Sequence, residues 1–192
     1  MTDESTPSTG LSRRALLGAW AGIATLAAAP VYANAPGLLR GAGDIRRIAM
    51  YSERSGESID AIYWVDGEYI PEVMDEVAFL MRDWRQNEMI EMDPKLIDVM
   101  SASHNIMETD EPYQLMSGYR TVTTNNSLRR SNVGVARNSY HTKGMAADLR
   151  LRSRSSWQMY NAALSCRAGG VGRYRSSGFV HYDCGPQRSW QR

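Results

Sequence analysis

The sequence predicts a single domain of the α+β class, in which helices pack against a small antiparallel sheet. Three observations support this. Apolar residues at helical spacing dominate the first half of the chain, short strand-like segments dominate the second half, and no internal repeat or linker separates the two. A length of 192 residues is enough for one domain to bury its own core.

The composition excludes several classes of partner. Lys and Arg total 22 against 21 Asp and Glu, a formal net charge of +1, so the chain lacks the basic character of nucleic-acid-binding or bilayer-docking proteins. With two Cys and three His, any metal must be bound by histidines and carboxylates. Whether Cys166 and Cys184 form a disulfide stays open.

The N-terminus is typical of an export signal. Arg13 and Arg14 precede an apolar run over residues 15–29, which is shorter than the roughly 20 residues that span a bilayer. This pattern predicts a twin-arginine signal over residues 1–33, followed by a leader over residues 34–45. The mature protein is then expected in the periplasm with no stable membrane span, and an uncleaved anchor facing the same compartment is the alternative.

The predicted domain, residues 46–192, begins with a hairpin. Residues 46–52 and 58–64 alternate as strands do, and residues 53–56 form a turn between them. A helix then begins at Pro71, a residue favoured in the first helical turn. Its apolar face consists of Val73, Val77, Leu80, Met81 and Trp84.

A second helix is predicted from Asp93-Pro94 to Ile106, with Asp93 as its N-cap. His104 lies in this helix without a carboxylate at ligand spacing, which favours a structural role. Strands are predicted at residues 113–119, 145–151 and 179–183, and a third helix near Ser155 or Ser156.

Two segments of the second half carry the candidate chemistry. Residues 139–148 read Ser-Tyr-His-Thr-Lys-Gly-Met-Ala-Ala-Asp, and residues 179–183 read Phe-Val-His-Tyr-Asp. Two histidines and one carboxylate, His141, Asp148 and His181, are a ligand set that suits a catalytic Zn²⁺, which leaves a fourth position for water. The small sheet is therefore expected to carry a zinc site.

The spacing of these residues is workable. Gly144 permits a tight turn, so the side chains of His141 and Asp148 can return to one point. Alternation along a strand places Asp183 on the same face as His181.

These segments resemble a known family. The pattern Ser-x-His-x-x-Gly-x-Ala-x-Asp over residues 139–148 is similar to the first metal motif of the zinc D-Ala-D-Ala carboxypeptidase and L-alanyl-D-glutamate peptidase superfamily. Residues 117–120 resemble its Ser-Gly-Tyr-Arg strand. The motifs at residues 169–174 and 179–183 resemble the exported murein endopeptidase branch, and the likeness runs from about residue 46 to residue 190.

The resemblance implies a zinc-dependent murein endopeptidase that hydrolyses amide bonds in the peptide cross-links of peptidoglycan. It implies that His141, Asp148 and His181 bind zinc. It also places Arg120 near the substrate carbonyl, where a guanidinium suits the developing oxyanion; a buried ion pair or a backbone clamp is the alternative for Arg120. Predicted contacts to the substrate, the stem peptides of peptidoglycan, are Ser117, Tyr119, Ser139 and Tyr174.

The chain departs from the better-known carboxypeptidases at one point. They have an acid or a histidine two or three residues before the last zinc histidine, whereas this chain has Gly178 and Phe179. Asp183 is the nearest ionisable alternative. It is expected to act either as the general base or as a hydrogen-bond acceptor that orients a ligand histidine.

Two other functions stay open. One is a non-catalytic peptidoglycan-binding module, and the other is a carboxypeptidase that releases terminal D-Ala. Basic residues spread through the second half either bind stem-peptide carboxylates or are solvated surface charge. They are Arg129, Arg130, Arg137, Arg150, Arg152, Arg154, Arg173 and Arg175.

Overall fold

The computed structural model describes residues 44–132 and 134–192. The predicted signal over residues 1–33, and nearly all of the predicted leader, lie outside the described residues. The described part forms one α+β domain, in agreement with the predicted class. None of its helices has the length and apolar character needed to cross a bilayer.

The elements follow one another in this order. The strands are β1 (Ile45–Tyr51), β2 (Ser58–Val65), β3 (Glu68–Tyr69), β4 (Tyr113–Ser117), β5 (Ala146–Arg150), β6 (Gly170–Tyr174), β7 (Phe179–Asp183) and β8 (Arg188–Gln191). The helices are α1 (Pro71–Leu80), α2 (Pro94–Ile106), α3 (Val122–Ser131) and α4 (Ser156–Cys166).

The sheet is larger than the small antiparallel sheet that the sequence predicted. Its eight strands lie in the order β3-β2-β1-β4-β5-β7-β6-β8, and two neighbouring pairs, β1 with β4 and β6 with β8, are parallel. A long connection containing α1 and α2 separates β1 from β4, so β4 can return in the same direction. The sheet is therefore mixed.

The three predicted helices begin where the sequence indicated. Pro71 occupies the first turn of α1, and the Asp93 side chain accepts a hydrogen bond from the Lys95 backbone N–H at 2.9 Å. Ser155 and Gln158 form a reciprocal capping box at α4. Helix α1 ends at Leu80, so Trp84 lies beyond it. Helix α3 was not predicted, because its sequence has no apolar stripe.

The core lies between α2, α4 and one face of the sheet. Leu149 of β5 and Val180 and Tyr182 of β7 are fully buried on this face. The Tyr182 hydroxyl donates to the Met159 carbonyl at 3.0 Å and lies 2.9 Å from the Ser103 hydroxyl. Strand β7 is thus held to both helices by packing and by hydrogen bonds.

The remaining histidine and the two cysteines are structural. His104 contacts the Glu111 carbonyl through Nε2 at 2.7 Å and its ring lies against Tyr113, as the predicted structural role requires. Cys166 and Cys184 are free thiols. Burial raises the pKa of Cys166 to about 11, so this thiol stays protonated at neutral pH.

A buried carboxylate ties the first two strands to α2. Asp98 is 1% exposed and accepts hydrogen bonds from Arg46 at 2.8 Å, Tyr63 at 2.9 Å and Tyr69 at 2.7 Å. The Arg46 guanidinium also lies over the Trp64 ring, 4.4 Å from its centroid. Because Asp98 is buried, the loss of one partner leaves a hydrogen bond unmade in a region that water does not reach.

Substituting Asp98→Ala should lower the free energy of unfolding by about 3–5 kcal/mol, since it leaves the Arg46 charge buried without its carboxylate. Asp60→Ala is the control. It removes the carboxylate that pairs with Arg47 at an exposed position and should cost about 1 kcal/mol or less. Urea unfolding followed by circular dichroism measures both. Equal losses in the two variants would contradict a special contribution from the buried group.

Candidate metal centre and active site

His141 is positioned by a short 3₁₀ helix, Tyr140–Lys143. The Ser139 hydroxyl caps this helix by accepting a hydrogen bond from the His141 backbone N–H at 3.3 Å. Gly144 ends it at φ 68°, in the left-handed region that favours glycine. A Cβ at Gly144 would lie 2.6 Å from the Glu91 carbonyl oxygen, so the turn also requires close backbone contact.

Asp148 and His181 are placed by strand pairing. They stand directly opposite each other in the antiparallel pair β5–β7. Directly opposed residues have Cβ atoms about 4.5–5.5 Å apart on one face of the sheet, so the two side chains meet. The 3₁₀ helix lies next to β5 and brings His141 to the same point.

The three predicted ligands converge in the structure. His141 Nε2 lies 3.2 Å from both Asp148 Oδ1 and His181 Nδ1, and His181 Nδ1 lies 2.9 Å from Asp148 Oδ1. A tetrahedral Zn²⁺ with ligand bonds of about 2.0–2.1 Å separates its ligand atoms by about 3.3 Å. The triangle therefore fits this metal, both in donor type and in size.

The second nitrogen of each histidine is occupied. His141 Nδ1 donates to the Gly118 carbonyl at 2.7 Å, and His181 Nε2 donates to Asp183 Oδ2 at 2.9 Å. The nitrogen that donates carries the proton of the neutral ring. The nitrogen that faces the cluster, Nε2 of His141 or Nδ1 of His181, then has a lone pair for a metal. Both rings are thus oriented as ligands.

Burial and neighbouring charges shift the pKa of each of the three ligand candidates, and the directions differ. Burial lowers the pKa of His141, which favours the neutral imidazole. Burial alone would raise the pKa of Asp148, but His141, Arg120 and the hydrogen bonds hold it well below its usual range. Burial opposes protonation of His181 too, yet its hydrogen bonds with Asp148 and Asp183 outweigh it and raise that pKa.

Arg120 lies beside the cluster and binds Asp148. Its Nη2 donates to Asp148 Oδ2, and its Nε donates to the Ser117 hydroxyl at 2.7 Å. The Arg120 backbone N–H donates to the His141 carbonyl at 3.1 Å. Arg120 therefore fixes the Asp148 carboxylate so that one oxygen, Oδ1, faces the histidines.

The loop that carries Arg120 is clamped from the opposite side. The Tyr119 backbone N–H donates to the Met81 carbonyl at 2.7 Å, and a Cβ at Gly118 would lie 2.4 Å from the same oxygen. Asp83 Oδ2 accepts from the backbone N–H and hydroxyl of Thr121 at 2.9 and 3.0 Å. The sequence predicted that this strand would extend to Tyr119. It ends at Ser117, because these contacts hold the following residues in a loop.

Asp183 is enclosed by donors. It accepts hydrogen bonds from the backbone N–H groups of Gly170 and Gly185, from both terminal nitrogens of Arg188 and from His181. Its side chain has no exposed surface. Burial would raise its pKa, but His181 and Arg188 lower it instead.

The cluster opens into a cleft of about 850 Å³. Ser117, Ser139 and Tyr174, three of the predicted substrate contacts, line it. Tyr119 does not, since its side chain packs against the core. Ser117 and Ser139 also have the supporting hydrogen bonds already described.

Residues that sequence reasoning missed complete the cleft. Arg188 and Trp190 of β8 line it, and the Arg188 guanidinium lies 5.0 Å from the Tyr140 ring centroid and 5.2 Å from that of Trp190. Their alternation is compatible with one face of a strand. This alternation was the only sequence feature that could have placed Arg188 and Trp190 in the cleft, because β8 is short and follows a turn.

The charge of the cleft is one-sided. In residues 44–132 and 134–192, the side-chain carboxylates and imidazoles that line it are the three ligand candidates alone. Five arginines line it as well: Arg85, Arg120, Arg150, Arg188 and Arg192. Such a lining suits an anionic ligand.

Comparison with known proteins agrees with the motifs. The family model described as "Peptidoglycan L,D-endopeptidase MepK" matches residues 40–190. The chain belongs to this family. Peptidoglycan L,D-endopeptidase MepK of Escherichia coli K12 is 42% identical over 145 residues, which are 76% of this chain and 80% of that protein.

Two further proteins are similar to parts of this chain. The probable peptidoglycan L,D-endopeptidase MepK of Haemophilus influenzae is 36% identical over 71% of this chain and 74% of its own length. Among solved structures, the L-Ala D-Glu endopeptidase ChiX of Serratia marcescens matches 40% of this chain and 62% of its own, with 17% identity and a TM-score of 0.33. The predicted membership in the murein endopeptidase branch is confirmed by the family match and the curated relatives.

Removing one ligand should remove the metal from this member of the family. After incubation with Zn²⁺ and dialysis, His141→Ala and Asp148→Ala should each retain less zinc than the wild type, because each takes away one corner of the triangle, and both should stay folded. His104→Ala is the matched control and should keep stoichiometric zinc. Atomic emission on dialysed protein measures the metal, and stoichiometric zinc in His141→Ala would show that the ligand set is wrong.

The turn at Gly144 provides a second test. Gly144→Ala should reduce zinc affinity by about 10-fold or more, because the added Cβ displaces the loop that carries His141. Gly56→Ala is the control, since Gly56 has a similar φ of 73° but open space around its Cβ position. Its zinc affinity should stay unchanged. Its free energy of unfolding should fall by only about 1–2 kcal/mol, the cost of a left-handed backbone at a residue that has a Cβ. Competition with a chromophoric chelator gives the two affinities, which must differ.

Proposed function

We propose that this protein is a zinc-dependent murein endopeptidase that hydrolyses amide bonds in the peptide cross-links of peptidoglycan. The observation that carries the proposal is the buried triangle of His141 Nε2, Asp148 Oδ1 and His181 Nδ1 at the base of an open cleft. Membership in a family described as a peptidoglycan L,D-endopeptidase supports the substrate class. The relative in Escherichia coli has the same description, and the relative in Haemophilus influenzae is described as a probable peptidoglycan L,D-endopeptidase MepK.

The donor atoms of the cluster fit zinc, and the residues around it have separate roles in hydrolysis. When bound, zinc activates a water molecule near neutral pH and polarises the scissile carbonyl. The chain supplies the ligands and a cleft that positions the peptide. Ser117 and Ser139 hold Arg120 and His141 in place, so the ligands and the guanidinium keep a fixed relation to each other.

Arg120 is proposed to act in two ways. It holds Asp148 through Nη2, and it lines the cleft beside the ligands with a side chain that is 12% exposed. A guanidinium fixed at this position can donate to the oxygen on which negative charge develops in the transition state. The ion pair with Asp148, which the sequence predicted as an alternative role for Arg120, is thus compatible with a contact between Arg120 and the substrate carbonyl.

Asp183 is proposed to orient His181 and not to act as the general base. A base needs a free lone pair directed at the reacting water. The carboxylate of Asp183 accepts five hydrogen bonds, is fully buried and has a lowered pKa. Its effect on the reaction passes through the His181 ring, whose outer nitrogen it holds.

The periplasm is the proposed location, with export by the twin-arginine route. The support is the sequence of residues 1–33, which pairs Arg13 and Arg14 with a short apolar run. The substrate class agrees with this, since peptidoglycan lies outside the cytoplasmic membrane. Fusion of residues 1–33 to a folded reporter, with Arg13 and Arg14 changed to Lys as the control, tests the route.

Incubating the zinc-loaded protein with defined cross-linked muropeptides should release separated stem peptides and no free amino acid. Chelation should abolish the reaction and zinc should restore it. Mass spectrometry of the products distinguishes the alternatives. Free D-Ala would indicate a carboxypeptidase, and binding to sacculi without products would indicate a non-catalytic module.

Arg120→Lys should keep zinc and lower kcat by about 10²- to 10³-fold, because a lysine cannot hold Asp148 and meet an oxyanion at once. Arg154→Lys is the control. Arg154 donates to backbone carbonyls at the end of α2, outside the cleft, and its replacement should leave kcat unchanged. Steady-state hydrolysis of a soluble muropeptide dimer measures both variants, and an unchanged kcat in Arg120→Lys would remove Arg120 from the reaction.

A further inference from the structure

The arginines of the cleft differ in how their charge is used. Arg120 pairs with Asp148 and Arg188 pairs with Asp183. Arg150 also lines the cleft, as do Arg85 and Arg192, and within residues 44–132 and 134–192 none of these three forms an ion pair with a side-chain carboxylate. Of the eight basic residues in the second half whose role the sequence left open, Arg150 is the one that lines this cleft.

Arg150 lies on the same strand and the same face as a metal ligand. It follows Asp148 by two residues on β5, so the two Cα atoms are separated by about 7 Å. The pairing of Leu149 with Val180 places Arg150 next to Phe179 of β7. Phe179 in turn stands opposite Tyr174 of β6, and their rings stack 4.4 Å apart at an angle of 14°.

These residues form a second row across the sheet, next to the row that holds the metal ligands. Arg150, Phe179 and Tyr174 make up this recognition row. It offers a guanidinium beside a flat pair of aromatic rings. Such a surface suits an amino acid that has an aliphatic stem ending in a carboxylate, because the rings contact the stem and the guanidinium binds the charge.

The Arg150 guanidinium is held but has unused donors. Nη2 donates to the Ser177 carbonyl, which fixes the direction of the side chain. Nε is buried and has no hydrogen-bond partner in the described part of the chain. A ligand in the cleft cannot reach this buried atom, but the other terminal nitrogen, Nη1, has no hydrogen-bond partner in residues 44–132 and 134–192 and can donate to a ligand carboxylate.

We propose that Arg150 is a specificity-determining residue that binds a carboxylate of the peptide substrate, about two residues along the cleft from the bond that is cleaved. This inference rests on the proposed endopeptidase function. It adds the requirement that the substrate has a free carboxylate at that distance, next to an aliphatic stem that contacts Phe179 and Tyr174.

The test pairs a protein change with a substrate change. The substrate is a defined cross-linked muropeptide with free carboxylates, compared with the same muropeptide converted to its carboxamides. Wild-type enzyme should lose about 10- to 100-fold in kcat/KM on the carboxamide substrate. Arg150→Gln should show a similar loss on the free carboxylate substrate and should hardly distinguish the two substrates.

Arg175→Gln is the matched control for the loss of one positive charge. Arg175 lies near the cleft without lining it and donates to the Gln191 side chain. It should retain the full preference of the wild type for the carboxylate substrate. Arg150→Lys keeps the charge but loses the forked geometry, and an intermediate preference is expected.

Two results would overturn the proposal. Arg150→Gln could retain the wild-type preference, or it could lose activity equally on both substrates. The zinc content of each variant shows whether the metal centre is intact. If wild-type enzyme cleaves neither substrate, the endopeptidase proposal fails by itself. Calorimetric binding of the two muropeptides to wild type and to Arg150→Gln then still decides whether Arg150 binds the carboxylate.

Discussion

The pairing register of β5 with β7 is the constraint on which the rest of the site depends. Because side chains alternate along a strand, a shift of one residue would turn Asp148 or His181 into the core. The register is secured from the opposite face, where Leu149, Val180 and Tyr182 are fully buried. The hydrogen bonds of Tyr182 with α2 and α4 add direction to that packing. The candidate metal centre is therefore held in place by residues that do not contact it.

Burying two carboxylates beside two imidazoles requires compensation on every side. Asp148 receives Arg120 from one direction and the histidines from the other, and Asp183 receives Arg188, His181 and two backbone donors. An unpaired carboxylate at such a position would take up a proton, which would remove a ligand or release a ring. Arg120 and Arg188 thus act first as counter-ions. Any contact of Arg120 with a substrate therefore involves a guanidinium that already neutralises the buried Asp148 carboxylate.

The sequence allowed part of this structure to be predicted, and the reason lies in the kind of signal each element has. Helices α1, α2 and α4 have apolar spacing and N-terminal signals such as Pro71, Asp93 and Ser155. The convergence of His141, Asp148 and His181 could be predicted because the chain has so few histidines.

Helix α3 is different. Its buried residues are Thr124 and Asn125, and it is held by the Thr121 cap and by a hydrogen bond from Asn125 to the Ala136 carbonyl. Hydrophobic periodicity cannot detect such polar contacts. Strand β6 was obscured for another reason. It contains two glycines, Gly170 and Gly172, and a Cβ at Gly172 would lie 2.3 Å from the Trp190 ring of the distant β8.

The two rows on the cleft face connect recognition with chemistry. Asp148 and His181 form one row, and Arg150 and Phe179 form the next, on the same two strands. The rise of a strand fixes their separation at about 7 Å, whereas a loop would allow it to vary. A substrate carboxylate held by the second row would therefore set which amide bond reaches the first. On this geometry, the choice of bond depends on the strand register as strictly as the positions of the candidate metal ligands do, because packing on the opposite, core face of the sheet holds both rows in place.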